Sequence, residues 1–158
     1  MAQQGTRSFY QITNELKTKL LADPNVNTVT FGDISDIDLN KQTIYPLAHI
    51  MINGVSFPDK LMNFNVSVIT MDVVDVSKDE IVDIFTGNDN SQDVINTQLE
   101  VQNRLLMDLK RGDLYDSNYQ LSGEPNCEMF TDRFENEVAG WVSTFNVQII
   151  NDIDIDGI

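Results

Sequence analysis

Three carboxylates and one imidazole are the first residues to ask about chemistry. Asp33, Asp36 and Asp38 crowd one short stretch, and His49, the single histidine, follows eleven residues after the last of them. Paired carboxylates can do acid–base work, and an Asp–His pair beside a serine can make a nucleophile. The chain carries no nucleophile elbow to go with them, and its eight glycines form neither G-x-G-x-x-G nor a Walker loop. The expected place for the aspartates is a solvated turn, and for His49 a packed, hydrogen-bonded strand position. A second acidic group, Asp152-Ile153-Asp154-Ile155-Asp156-Gly157, matches the first half of a calcium loop, D-x-D-x-D-G. The bidentate glutamate that completes such a loop is missing, so an acidic strand carrying Ile153 and Ile155 is the plainer expectation. One cysteine, Cys127, and one histidine are too few for a zinc set, and a single thiol excludes an intrachain disulfide. These residues imply no enzyme, no metal and no cofactor.

Composition narrows the partners. The 158 residues suit one domain, and 41% apolar content is ordinary for a folded chain. Net charge is −15, from 25 acidic against 10 basic residues. Tight phosphate-backbone binding needs Lys and Arg to displace counterions, so neither nucleic-acid binding nor adhesion to an anionic membrane is expected. No stretch has the shape of a signal peptide or a membrane span, which places synthesis and folding in a cytoplasm.

The elements follow from periodicity. Phe9, Ile12, Leu16 and Leu20 recur at helical spacing after an S-x-x-Q capping box at Ser8, so a helix is expected over 8–22, behind a loose arm of residues 1–7. A strand over 26–31 and another over 44–52 come next, the second with Pro46 near its start. Asn53-Gly54 signals a hairpin, which Phe57-Pro58-Asp59 would widen. An acidic, turn-rich stretch covers 33–42, a long strand covers 61–74, and a long polar, acidic loop covers 75–93. A second helix over 90–111 has Ile95, Leu99, Leu106 and Leu109 as its stripe, with Val94, Val101 and Leu105 beside it, and Gly112 as its cap. Residues 113–125 read as irregular and 127–134 as a short strand. The last strand, 138–150, carries Trp141, Phe145, Val147 and Ile149 on one face, with Gly140 marking a bulge or a close backbone approach. Residues 151–158 form an acidic tail. The sum is a single α+β domain: a mostly antiparallel sheet of four to five strands with a long hairpin, packed by two helices. Phe64, Val66, Leu99, Leu106, Trp141 and Phe145 should be buried.

The strand over 61–74 has an anomaly. Met62, Phe64, Val66 and Val68 share one face, but from Ile69 the apolar parity flips to Ile69, Met71 and Val73. Either a bulge sits near Ile69, or the far half is covered on its other face. At ~3.3 Å per residue the segment reaches roughly 45 Å, long enough to leave the domain and meet a neighbour. Ile69, Met71 and Val73 are therefore expected at a subunit interface, with Ile81 and Phe85 from the loop and Ile153 and Ile155 from the tail.

Element order and four stretches carry a resemblance. YPLAHIMI (45–52), MDVVD (71–75), DVINTQLEVQNRLLMDLKRGDLY (93–115) and FENEVAGWVSTFNVQI (134–149) are similar to bacteriophage neck proteins of the tail-terminator and head–tail connector class. The resemblance covers nearly the whole chain except the acidic tail. It implies a structural virion protein, assembled in the host cytoplasm. Copies of it would close into a six-fold or twelve-fold ring between portal, connector and tail proteins, through which DNA passes without specific binding. An acidic lumen wall would let phosphate slide. Two rivals stand beside it. One is a monomeric acidic module that holds a basic partner through the loop at 75–93. The other is a small hydrolase built on Asp33, Asp36 and His49.

Overall fold

A computed structural model describes residues 4–36, 42–75, 83–85, 90–133 and 138–151. Helix α1 spans Gln4–Leu21, and strand β1 spans Thr28–Phe31. Strands β2 (Leu47–Ser56) and β3 (Leu61–Val73) follow, then helix α2 (Ser91–Lys110) and strands β4 (Gln120–Arg133) and β5 (Val138–Ile150). They form one five-stranded sheet in the order β1-β2-β3-β5-β4. Only β1 and β2 run parallel; every other neighbouring pair is antiparallel. The fold is α+β with a mostly antiparallel sheet, as its periodicities require.

Both helices lie on one face of the sheet. Ile12, Leu16 and Leu20 of α1 and Val101, Leu105 and Leu109 of α2 repeat every four residues, so each set makes one stripe. The stripes meet Ala48 and Ile50 of β2, Phe64, Val66 and Val68 of β3, and Phe145, Val147 and Ile149 of β5. Each of these valine, leucine, isoleucine and phenylalanine side chains contributes about 1.5–3 kcal/mol relative to exposure. Arg104 of α2 clasps Asp23 just past α1 with two bonds of 2.7 and 2.9 Å. Partial burial pushes the Asp23 carboxyl up, but the Arg104 fork and the Asn25 N–H outweigh it and hold it below its ordinary value. Glu100, four residues before Arg104 on α2, adds a longer ion pair of 3.7 Å, second to Asp23.

The start of α1 differs from expectation. It begins at Gln4, so Ser8 lies inside the helix and is not its cap. Nothing before Ser8 is a proline, and helix propagation adds a hydrogen bond per residue once a nucleus exists. The Asn53-Gly54 signal also fails as a turn. Strand β2 runs through it to Ser56 with a register shift between Ile52 and Gly54, and the chain turns instead at 57–60, with Asp59 at φ 50°.

The parity flip in β3 has a different cause from the one expected. Its pairing with β5 is unbroken from Leu61↔Ile150 to Val73↔Val138, so no bulge sits at Ile69. The far half is covered on its second face by the chain itself. Ile69 and Met71 pack there with Tyr45, Leu47, Phe130 and Val138. Ile34, Ile44, Met51, Val73 and Val142 lie at the margin. Met71 has 0% of its surface exposed and Ile69 is buried, so this pair is core and not a wet patch awaiting a neighbour. The cover was hidden because Tyr45 and Phe130 are distant from Met71 in sequence; β4 itself is also longer than its sequence suggests. Gly123 at φ 70° and Pro125 lie in a register shift between Ser122 and Asn126, which makes a fourteen-residue strand read as loop.

The sheet-facing line of α2 is also rotated from the expected stripe. Leu99 is 39% exposed and Ile95 half-buried, while Gln98 and Gln102 are buried with Val94, Val101, Leu105, Leu106 and Leu109. Gln102 reaches the sheet because its amide donates to the Val68 and Trp141 carbonyls, at 2.9 and 3.3 Å. Half-buried Trp141 in turn donates its indole N–H to the Ile95 carbonyl at 2.8 Å. Gly140 is the close approach that its position suggests: a Cβ there would strike the Thr70 carbonyl on β3. Gly112 has a packing role, since a Cβ would run into the buried Tyr119 ring, while Arg111 caps α2.

Candidate functional site

The imidazole expected to be structural is placed between β1 and β2. His49 is fully buried. The Thr30 hydroxyl donates to Nδ1 at 2.7 Å, and Nε2–H donates to the Gly32 carbonyl at 2.7 Å. This pairing suits the neutral ring. Burial, the dominant influence, pushes the His49 pKa down, against smaller upward pulls from the Gly32 carbonyl and Asp33. Asp33 accepts from the Ser35 N–H at 2.9 Å, and that bond together with the Ser35 hydroxyl holds its carboxyl below its ordinary value. Both nitrogens of His49 are engaged by protein, so the arrangement offers no base to a substrate. Asp38 and the side chain of Asp36 lie outside the described residues.

Other expected positions divide three ways. Ile69 and Met71 are core, and Val73 is half-buried against the same cluster. Phe85 is 82% exposed, its N–H bonded to the Asp83 carboxylate and its carbonyl to the Gln92 amide. Ile81, Ile153 and Ile155, and with them the calcium-like tail, lie outside the described residues. Cys127 is a free, half-buried thiol on β4, and burial raises its pKa, which disfavours thiolate. Among the described residues no group of three or more His, Cys, Asp or Glu side chains is placed to hold a metal ion.

The surface that does stand out is a groove between α1 and β1. Phe9, Tyr10, Thr13, Asn14 and Lys17 of α1 form one wall. Val29, Thr30 and Phe31 of β1, with Ile50 of β2, form the floor and the other wall of a cavity of about 350 Å³. The Phe9 ring meets Phe31 edge-on at 5.8 Å and Tyr10 at 6.0 Å, and leans on Phe64 at 6.5 Å. Tyr10 is 63% exposed and Phe31 52%. Val55, exposed and paired with Phe64 across the strands, and exposed Phe57 at the hairpin turn extend the apolar surface toward that end of the sheet.

Local sequence explains the groove. Adjacent helical residues point about 100° apart, so Phe9 and Tyr10 cannot both turn into the core. Strand β1 has four residues and stands at the end of the sheet order. Among the described residues no strand lies on its outer side. Alternation sends Val29 and Phe31 toward α1 and Thr30 toward His49. Among the described residues no carboxylate lines the groove and Lys17 is its one charged side chain, although acidic residues outnumber basic ones 25 to 10. An edge that no described strand covers, beside an apolar channel, is the geometry that accepts an extended segment by adding a strand. Phe9 and Phe31 are visible in the sequence only as the ends of apolar patterns; the paired aromatics at positions 9 and 10 were the available sign.

The chain matches no protein-family model and no curated protein.

Proposed function

We propose that this protein is a structural subunit that assembles with copies of itself into a ring. Its place would be the neck of a bacteriophage virion, as a tail terminator or head–tail connector component. Portal, connector or tail proteins would stack on the ring, and DNA would pass through it. The observation that carries the self-assembly is the exposed Phe9–Tyr10–Phe31 surface beside the edge of β1, which no strand covers among the described residues. A contiguous apolar patch at a sheet edge is a standing liability unless a partner covers it. A contact between this patch and a different surface of the next copy is heterologous, and repetition closes a ring when the rotation divides the circle. The phage assignment rests on the sequence resemblance. The charge of −15 suits a wall past which phosphate moves without sticking.

Native mass spectrometry and negative-stain microscopy of the purified protein test this reading. A closed ring of one stoichiometry is expected; a monomer at every concentration would overturn it. A second reading has its own support in Ile84 and Phe85, both exposed beside Asp83. A monomer using that loop to hold a basic, apolar peptide would show one-to-one binding and no ring.

A further inference from the structure

Within the self-assembly reading, we infer that the occupant of the α1–β1 groove is the acidic tail of a second copy, residues 152–158, added as a strand to the outer edge of β1. The match is one of pattern. The tail alternates Asp152, Ile153, Asp154, Ile155, Asp156, the period of a strand with one buried face. The edge it would join has the same two sides. Val29 and Phe31 face the channel under Phe9 and Tyr10, and Thr30 turns to the opposite face. Pairing on β1 therefore sets Ile153 and Ile155 among the aromatics and leaves the aspartates on the polar side. The lining suits the isoleucines: among the described residues it is mostly apolar and holds no carboxylate, so the face that enters it meets no like charge.

Reach decides between the chain's own tail and a neighbour's. Strand β5 ends at Ile150 opposite Leu61, and the Asn151 N–H bonds the Lys60 carbonyl, at the hairpin end of the sheet. Strand β1 lies three places away in the order, or ~14 Å at the usual strand spacing. Its last residue, Phe31, is level with Ile50, while β2 continues to Ser56. That drop adds ~20 Å, so the path is about 24 Å before any pairing begins. Ile155 is five residues past Ile150, and five extended residues span at most ~18 Å. A chain cannot seat these isoleucines in its own groove, but its neighbour can receive them. The contact is heterologous, as ring closure needs.

The test uses the full chain carrying Ile153→Asp and Ile155→Asp as receptor, and a synthetic peptide of residues 150–158 as probe. Saturable binding is expected, with backbone amide shifts concentrated on residues 28–31 and on Thr13, Asn14 and Lys17. The same peptide with both isoleucines replaced by aspartate should bind about tenfold more weakly or worse, and self-assembly of the doubly substituted chain should weaken by about the same factor. Equal binding of the two peptides, no saturation, or shifts placed on β4 instead would overturn the inference. The ring reading fails separately: a monomeric parent overturns it whatever the peptide does. A parent ring that the double substitution leaves intact overturns the tail alone.

Discussion

His49 shows how one residue ties an edge strand to the sheet and to pH. Its ring joins Thr30 of β1 to the Gly32 carbonyl from within β2, so every proton it gains disturbs the shortest strand of the sheet. Its folded pKa is depressed by burial. Below the ordinary value of about 6.5 the unfolded chain takes up a proton that the folded chain refuses. This contribution to stability is therefore full above the unfolded pKa, and it is lost as pH falls through that value toward the folded one. Asp72 acts with the opposite sign. Half-burial, aided by Asp75 and opposed by the Val73 N–H, raises its carboxyl pKa, so it weakens the fold as pH rises through its window. Replacing His49 with Gln keeps one donor and one acceptor but cannot titrate. Urea unfolding at intervals from pH 7 to 5 should give a flatter loss of stability for His49→Gln than for the parent. The difference approaches but does not exceed about 1.4 kcal/mol per pH unit, the value of one proton. Parallel curves would mean that His49 is not the titrating group.

At the scale of elements, β3 is the centre of the molecule. It pairs with β2 on one side and β5 on the other along nearly its whole length, and its middle is buried on both faces. Met71→Asp should therefore unfold the protein. A carboxylate at a fully buried site on the second core has no cation to pair with among its packed neighbours, and the expected cost is about 4 kcal/mol or more. Circular dichroism melts read this directly, with Phe85→Asp as the exposed control, expected within about 0.5 kcal/mol of the parent. A folded Met71→Asp chain that merely fails to assemble would return this face to the surface. Much of the architecture was legible because it rests on local periodicity. Both helices, β1, β3 and β5 lie close to where spacing puts them. Phe64, Val66, Leu106 and Phe145 are buried as their patterns require. What was hidden depends on contacts distant in sequence. The back-face cluster needs Tyr45 and Phe130 brought to Met71, and no window of sequence contains all three. Gln98 is buried where Leu99 is exposed, and an apolar count on a helix does not see that Gln102, one turn on, is drawn to the sheet by its bond to the Val68 carbonyl. The groove was missed for the same reason: Phe9 and Phe31 are each ordinary until α1 lies across β1.

For the molecule as a whole, the balance to be settled is between one apolar surface and a large like charge. Each copy carries −15, so bringing two together costs Coulomb work from the net like charge. The Phe9, Tyr10 and Phe31 surface opposes that cost, and its apolar attraction changes little with simple salt at moderate concentration. Screening acts on the repulsive side alone. The Debye length falls from about 10 Å at 0.1 M to about 3 Å at 1 M salt, so charges on neighbouring copies cease to feel one another across an interface. Self-association should therefore tighten with added sodium chloride. Sedimentation velocity across 0.05 to 0.5 M should show the assembled fraction rising, with an apparent dissociation constant lower by about tenfold at the upper end. The rival reading gives the reverse sign. A basic peptide held by the acidic loop is drawn in by the same charge, and salt would weaken that complex. A titration at two ionic strengths thus separates the two without knowledge of ring size or neighbours: tightening with salt belongs to copies of this chain meeting through apolar surface, and loosening belongs to a cationic partner.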